Sequence, residues 1–290
     1  MKVSEKFNVK VVDFSDVELI KDNNLFIDPF LIAVGDTDFC KRATNDIIDF
    51  FEMLLNCAIN GNEKNASIII DGLCERNETR LGYSKERLVG KGFSKNAGMT
   101  LYKNLKESNA IKTGLVKDIF DCSIMVEKIG QDKISDLITN IIFKQLIDFT
   151  QAQCKKLAIP LKEVELKKRY WNSLNRRWEK EKTFLPVDNG MPIIFVPNNV
   201  LADNSFYTYQ TVYRELMLPY YESLELSDAS SSLVYLLKNG RRKVDKKKLH
   251  KKYPCSKKSV EDFVRNHSDK YDSYKESKFK YYNYSKRRLV

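Results

Sequence analysis

Histidine is almost missing from this chain of 290 residues: there are 2, His250 and His267, both near the C-terminal end. Residues 1–237 therefore cannot build a Ser-His-Asp or Cys-His relay, an H-E-x-x-H zinc site or a His-based metal finger. Chemistry in that body falls to carboxylates, Lys, Tyr or backbone donors. The 6 cysteines (Cys40, Cys57, Cys74, Cys122, Cys154 and Cys255) include no C-x-x-C pair. That spacing argues against zinc and for reduced thiols in a cytoplasm. No apolar run approaches the roughly 20 residues that span a bilayer. The opening MKVSEKFNVKVVDF alternates charged with apolar residues and lacks the apolar stretch of a secretory signal. No membrane association is expected. G-x-G-x-x-G, regular βαβ alternation and internal repeats are also absent.

Charge is present and unevenly placed. From Lys238 to Val290 there are 19 Lys and Arg against 6 Asp and Glu, a net of +13; the whole chain is +11, so residues 1–237 come to −2. A near-neutral body with a strongly basic end is suited to a polyanion. Tyr253, Tyr271, Tyr274, Tyr281, Tyr282 and Tyr284 are interleaved with those cations, which favours DNA or RNA, since bases stack on aromatic rings. In the run RRKVDKKKLHKK the expected phosphate contacts are Arg241, Arg242, Lys246, Lys247, Lys248, Lys251 and Lys252. The competing reading is a solvated tail that only confers solubility.

Hydrophobic content of 42% against 31% charged describes a globular chain with a core. FNVKVVDF (7–14), LFIDPFLI (25–32), SIIID (67–71) and PIIFV (192–196) are read as strands from their β-branched and aromatic residues. Ile47, Ile48, Phe51, Leu54, Leu55 and Ala58 carry helical spacing over 44–60, and helices are also expected over 97–110 and 205–221. A broad stripe from Ile134 to Phe149 predicts one long central helix over 134–157, closed before Pro160. Ser259-x-x-Asp262 reads as a capping box. The expectation is an α+β fold with a mixed sheet, a long central helix and a basic helical C-terminal module. Its expected segments are 1–160, 161–237 and 238–290.

Several constellations carry candidate chemistry. Asp132 and Asp136 stand four apart, so a helix places both carboxylates on one face, where a divalent cation such as Mg²⁺ would relieve their repulsion. The alternative is that Asp132 or Ser135 caps the helix and Asp136 sits in its first turn. Asp71, Glu75 and Glu78, with Asp28, would converge at strand ends in an open sheet. The expected catalytic set is Asp132, Asp136 and Glu78, and the expected metal set adds Asp71 and Asp28. Lys85, Arg87 and Lys91 lie in a Gly-rich loop suited to phosphate, although the loop is no P-loop. Glu165-Leu166-Lys167 matches an E-x-K element. Trp171 and Trp178, seven apart, fit a core seam better than a base-stacking platform.

The segments DKISDLITNII and LIDFTQAQC, with LFIDPFLI, NETRLGYSKERLVGKG and LPVDNGMPIIFVPNNVL, resemble an uncharacterised family of bacterial proteins associated with restriction and phage-defence neighbourhoods. The resemblance implies a bacterial intracellular protein with a defence role and assigns no catalytic residue. Together these features point to a nucleic-acid-acting protein. One form is a metal-dependent nuclease; the other is a non-catalytic binding or adaptor subunit with a protein partner in a defence complex. A third option, docking on an acidic membrane surface or ribosome, is weakened by basic residues too scattered for an amphipathic membrane helix.

Overall fold

The computed structural model describes residues 1–10, 12–82 and 95–287. It is α+β, with helices predominating. The strands pair only in two-stranded antiparallel ladders among the described residues, so the mixed sheet expected from sequence is absent there. The chain divides into two units, Met1–Lys112 with Lys128–Phe206, and Thr113–Glu127 with Tyr207–Val290. This division differs from boundaries at 160 and 237. Residues 161–206 join the first unit, and the second recruits a short segment from within the first.

The first unit is organised by the helix Asp38–Ile59. Thr37 starts it by accepting a hydrogen bond from the Cys40 N–H at 3.2 Å. Its three-four spacing buries Ile47, Phe50, Phe51, Leu54, Leu55 and Ala58. Helices Glu63–Ile70, Lys95–Glu107, Gln131–Ile141 and Phe143–Lys156 pack on it. The last two replace the single central helix, with Ile142 as the break between them. A hairpin, Tyr170–Asn172 with Arg177–Glu179, sets Trp171 opposite Trp178.

Most strand expectations fail for one reason. Short apolar runs do not distinguish a strand from a buried helical turn. SIIID closes the helix Glu63–Ile70, started by Asn62. In LFIDPFLI only Phe26–Ile27 is strand; Asp28 caps the helix Pro29–Ala33, with proline at its first position where no N–H is needed. Val3–Phe7 is a helical turn, and of 192–196 only Pro192 pairs, in the Met191–Pro192 strand.

The second unit places helix Ile119–Met125 against Tyr209–Val212 and Lys257–Asn266. The helical run from Tyr209 widens to a π turn over Tyr213–Met217, just before Pro219, whose missing N–H interrupts the regular ladder. A hairpin, Val234–Leu236 with Arg242–Val244, leads into Lys246–Lys252, capped by Asp245. The Lys257–Asn266 helix is capped by Ser256 with Ser259 at its third position, so the box lies three residues earlier than Ser259-Asp262. Ser268–Arg287 is the final helix.

Candidate functional site

Two surfaces hold the residues singled out in the sequence, one acidic in the first unit and one basic in the second. The helix Gln131–Ile141 carries Asp132, Asp136 and Asn140 at successive four-residue steps, hence on one face. Gly130 caps it without a side chain, and Ser135 instead accepts the Ile27 N–H at 3.0 Å, so neither Asp132 nor Ser135 is the cap. Asp136 is pushed up to about 7 by burial first, then by the negative charges of Asp132 and Glu75. Its side chain still reaches solvent. Asp136 is thus an exposed carboxylate on a helix face crowded by the like charges of Asp132 and Glu75.

The loop after Glu63–Ile70 is clasped to this face by Asn140, which is 1% exposed. Its Nδ2 donates to the Cys74 carbonyl at 2.7 Å, and its Oδ1 accepts from the Cys74 N–H at 3.2 Å and from Arg76 Nε at 2.9 Å. The Arg76 guanidinium lies 3.9 Å from the Phe143 ring centroid and also donates to the Arg169 carbonyl. Lys168 donates to the Glu75 carbonyl. Asn140 and Arg76 were not legible as site residues. The only signal was the spacing that puts Asn140 in line with Asp136.

The remaining acids of the expected metal set have other duties. Asp28 is buried and accepts from the Phe30 and Phe206 N–H groups at 2.9 and 2.8 Å; burial raises its carboxyl against the lowering effect of those bonds. Asp71 accepts from Arg169 at 2.5 Å. Glu78 acts electrostatically on the buried Arg76 and Arg80. Glu165 faces Lys180 at 3.5 Å, while Lys167 lies outside its strand. Among the described residues no group of three or more His, Cys, Asp or Glu side chains is placed to hold one metal ion. The preformed Mg²⁺ set of Asp28, Asp71, Glu78, Asp132 and Asp136 is therefore not assembled. Only Asp132 and Asp136 come together, with Glu75. Lys85, Arg87 and Lys91 lie outside the described residues.

The second unit sorts its cations into two groups. One group is consumed internally. Lys275 reaches Asp121 at 2.5 Å and Asp118 at 2.7 Å. Lys278 reaches Glu215 at 2.7 Å. Lys252 reaches the buried Glu225 at 2.6 Å, and with the Tyr253 and Ser231 hydroxyls it holds that carboxyl down to about 2. Arg242 donates to the Asp228 carbonyl at 2.7 Å, and Lys246 is 4.0 Å from Glu222. Arg242 and Lys252, both expected as phosphate contacts, are thus tied within the unit. Three of the tyrosines are also committed, while the side chains of Tyr281, Tyr282 and Tyr284 lie outside the description. Tyr271 is buried with its hydroxyl on Asp121 at 2.6 Å, Tyr274 donates to Glu215 at 2.9 Å, and Tyr253 stacks on Tyr221 at 3.8 Å.

The other group is free. Arg241, Lys243, Lys247, Lys248 and Lys251 are exposed and have no carboxylate partner among the described residues. Arg241 and Lys243 alternate along one face of the hairpin strand, opposite the buried Val244, and Tyr235, 46% exposed, is paired in register with Lys243. On the helix Lys246–Lys252, Lys247, Lys248 and Lys251 share the side opposite the buried Leu249.

The family described as Domain of unknown function (DUF8370) matches residues 3–208. The chain belongs to the DUF8370 family. No curated protein and no solved structure matches it. The DUF8370 match includes the acidic face and stops before the helices and hairpin that carry the free cations. No described helix is long and apolar enough to cross a membrane.

Proposed function

We propose that this DUF8370 protein acts on nucleic acid, gripping the phosphate backbone through the hairpin and helix of its second unit. The observation that carries this reading is the separation of cations. Where a carboxylate or carbonyl is near, Lys and Arg of the tail are tied to it, yet Arg241, Lys243, Lys247, Lys248 and Lys251 stand together in solvent with none. Unpaired exposed cations of one sign repel each other and are relieved by a polyanion that releases its own counterions. Tyr235 and not the buried tyrosines is the ring placed to meet a base. All 6 cysteines are free thiols, which supports a reducing cytoplasm as the setting.

Deleting residues 238–290 is the wrong test, because it would strip Tyr271 and Lys275 from the buried Asp121. Substitution is the right one. Lys247→Ala, Lys248→Ala and Lys251→Ala together, measured by anisotropy on labelled duplex DNA, single-stranded DNA and RNA, weaken binding and leave thermal unfolding unchanged. Unaltered affinity for every substrate removes the proposal.

A second reading, a nuclease, has one observation in its favour: Asp136 at about 7 beside Asp132 and Glu75, a group that favours any incoming cation. The described residues do not form a preformed Mg²⁺ site, so no hydrolytic step is derived. Cleavage of DNA or RNA in Mg²⁺ that is lost in Asp136→Asn supports this reading; its absence leaves a non-catalytic binder or adaptor in a defence complex.

A further inference from the structure

The first unit contains a cavity of about 700 Å³ between the helix Glu63–Ile70 and the Tyr170–Glu179 hairpin, within the range of small-molecule sites. Both of the chain's 2 tryptophans line it. Trp178 is half-buried and fixed. Its Nε1–H donates to the Ile69 carbonyl at 2.6 Å, and Gly72 underlies the ring so closely that a Cβ there would lie 1.9 Å from the indole Cδ2. One side of the indole is thus taken by Gly72, Phe50 meets the ring at 76° with centroids 6.1 Å apart, and Trp178 also lines the cavity. Trp171 meets it at 67° with centroids 5.4 Å apart and is itself buried.

Around this ring stand Arg169, Arg176, Arg177 and Lys64, against the carboxylates of Glu63 and Asp71. Each guanidinium is tethered by a carboxylate: Arg169 by Asp71 at 2.5 Å, Arg176 by Asp49 at 2.5 Å and Arg177 by Glu179 at 2.7 Å. The tethers orient the arginines without sealing them, since their side chains stay 43%, 62% and 69% exposed. A guanidinium has five donors, and these bonds use a minority of them. The outcome is a rigid indole with forked N–H donors around it, the pairing that holds an aromatic base on one side and a phosphate on the other.

From this arrangement we infer that the cavity binds a nucleoside phosphate, the base against Trp178 and the phosphate at Arg176 and Arg177. The nucleotide is either free or the terminal unit of a single strand. The site shares no residue with the basic hairpin and helix, so the two stand or fall independently.

Because both tryptophans line the cavity, intrinsic tryptophan emission of the full chain reports on it directly. The probes are adenosine triphosphate, adenosine, inorganic phosphate and a short 5′-phosphorylated single-stranded oligonucleotide. Saturable quenching by the triphosphate identifies the free nucleotide as the source; quenching by the oligonucleotide alone identifies a strand end. In either case Arg176→Ala with Arg177→Ala, both at exposed positions, weakens the quenching ligand about tenfold or more. Lys247→Ala, Lys248→Ala and Lys251→Ala together leave the quenching curve in place. No saturable quenching by nucleotide or oligonucleotide overturns the inference. So does quenching by adenosine of equal strength that ignores the arginine substitutions.

Discussion

Replacing Lys275 by Met should loosen the last helix without touching Arg241, Lys243, Lys247, Lys248 or Lys251, the cations proposed to meet phosphate. Lys275 is 16% exposed and bonds both Asp121, which is fully buried, and Asp118. Asp121 also accepts from the Tyr271 hydroxyl, and Tyr207 donates in turn to that hydroxyl at 3.1 Å. Methionine keeps most of the volume and removes the charge, leaving the buried carboxylate only the Tyr271 hydroxyl and the Lys117 N–H at 2.9 Å. Breaking a buried ion pair from one side costs about 3–5 kcal/mol. Burial already holds the Asp121 carboxyl above its ordinary range, so the variant has an escape, which is to keep the proton. A folded state that retains a proton the unfolded state releases loses stability as pH rises. The cost is therefore full where Asp121 is ionised and shrinks as pH falls, leaving only imperfect hydrogen bonding, about 1–2 kcal/mol. Hydrogen exchange over Ser268–Arg287 reads this directly, with protection falling at pH 8 and partly recovering as pH is lowered. Protection at pH 8 equal to that of the parent would refute the reasoning.

Asp136→Asn tests the acidic face. Because Asp136 is raised to about 7, the folded state holds a proton that the unfolded state loses above pH ~4, and stability declines across that window. The asparagine variant should match the parent near pH 4 and exceed it at pH 8 by up to about 1 kcal/mol, after discounting for solvent access; thermal unfolding at both values decides it. Asn140→Ala should destabilise the first unit by about 3 kcal/mol, because it leaves the Cys74 amide and carbonyl and Arg76 Nε without partners. Denaturant unfolding followed by tryptophan emission measures it, and a loss below 1 kcal/mol would contradict the clasp.

The helix Asp38–Ile59 was readable over 44–59 because its apolar stripe is long, whereas its first turn and the Thr37 cap were not read. The α+β class was readable too. SIIID and LFIDPFLI were not, because the deciding features were Asn62 upstream of one and the Asp28-Pro29 helix start inside the other. Asp132 and Asp136 were placed together by spacing alone, whereas Glu75 joins them only through the fold of a loop that Asn140 pins. The net charge of the tail was legible, but its division was not. Whether a lysine is bound or free depends on Asp118, Asp121, Glu215 and Glu225, all of which lie before the basic stretch begins.

The central claim is that Arg241, Lys243, Lys247, Lys248 and Lys251 form a phosphate-binding face while Arg242, Lys252, Lys275 and Lys278 are structural. The slope of log Kobs against log salt on duplex DNA measures it, at roughly 0.9 for each phosphate neutralised. Removing Lys247, Lys248 and Lys251 should make the slope shallower by about 2–3, and Lys275→Met should leave it unchanged. A slope that Lys275→Met alters and the triple substitution does not would contradict the account.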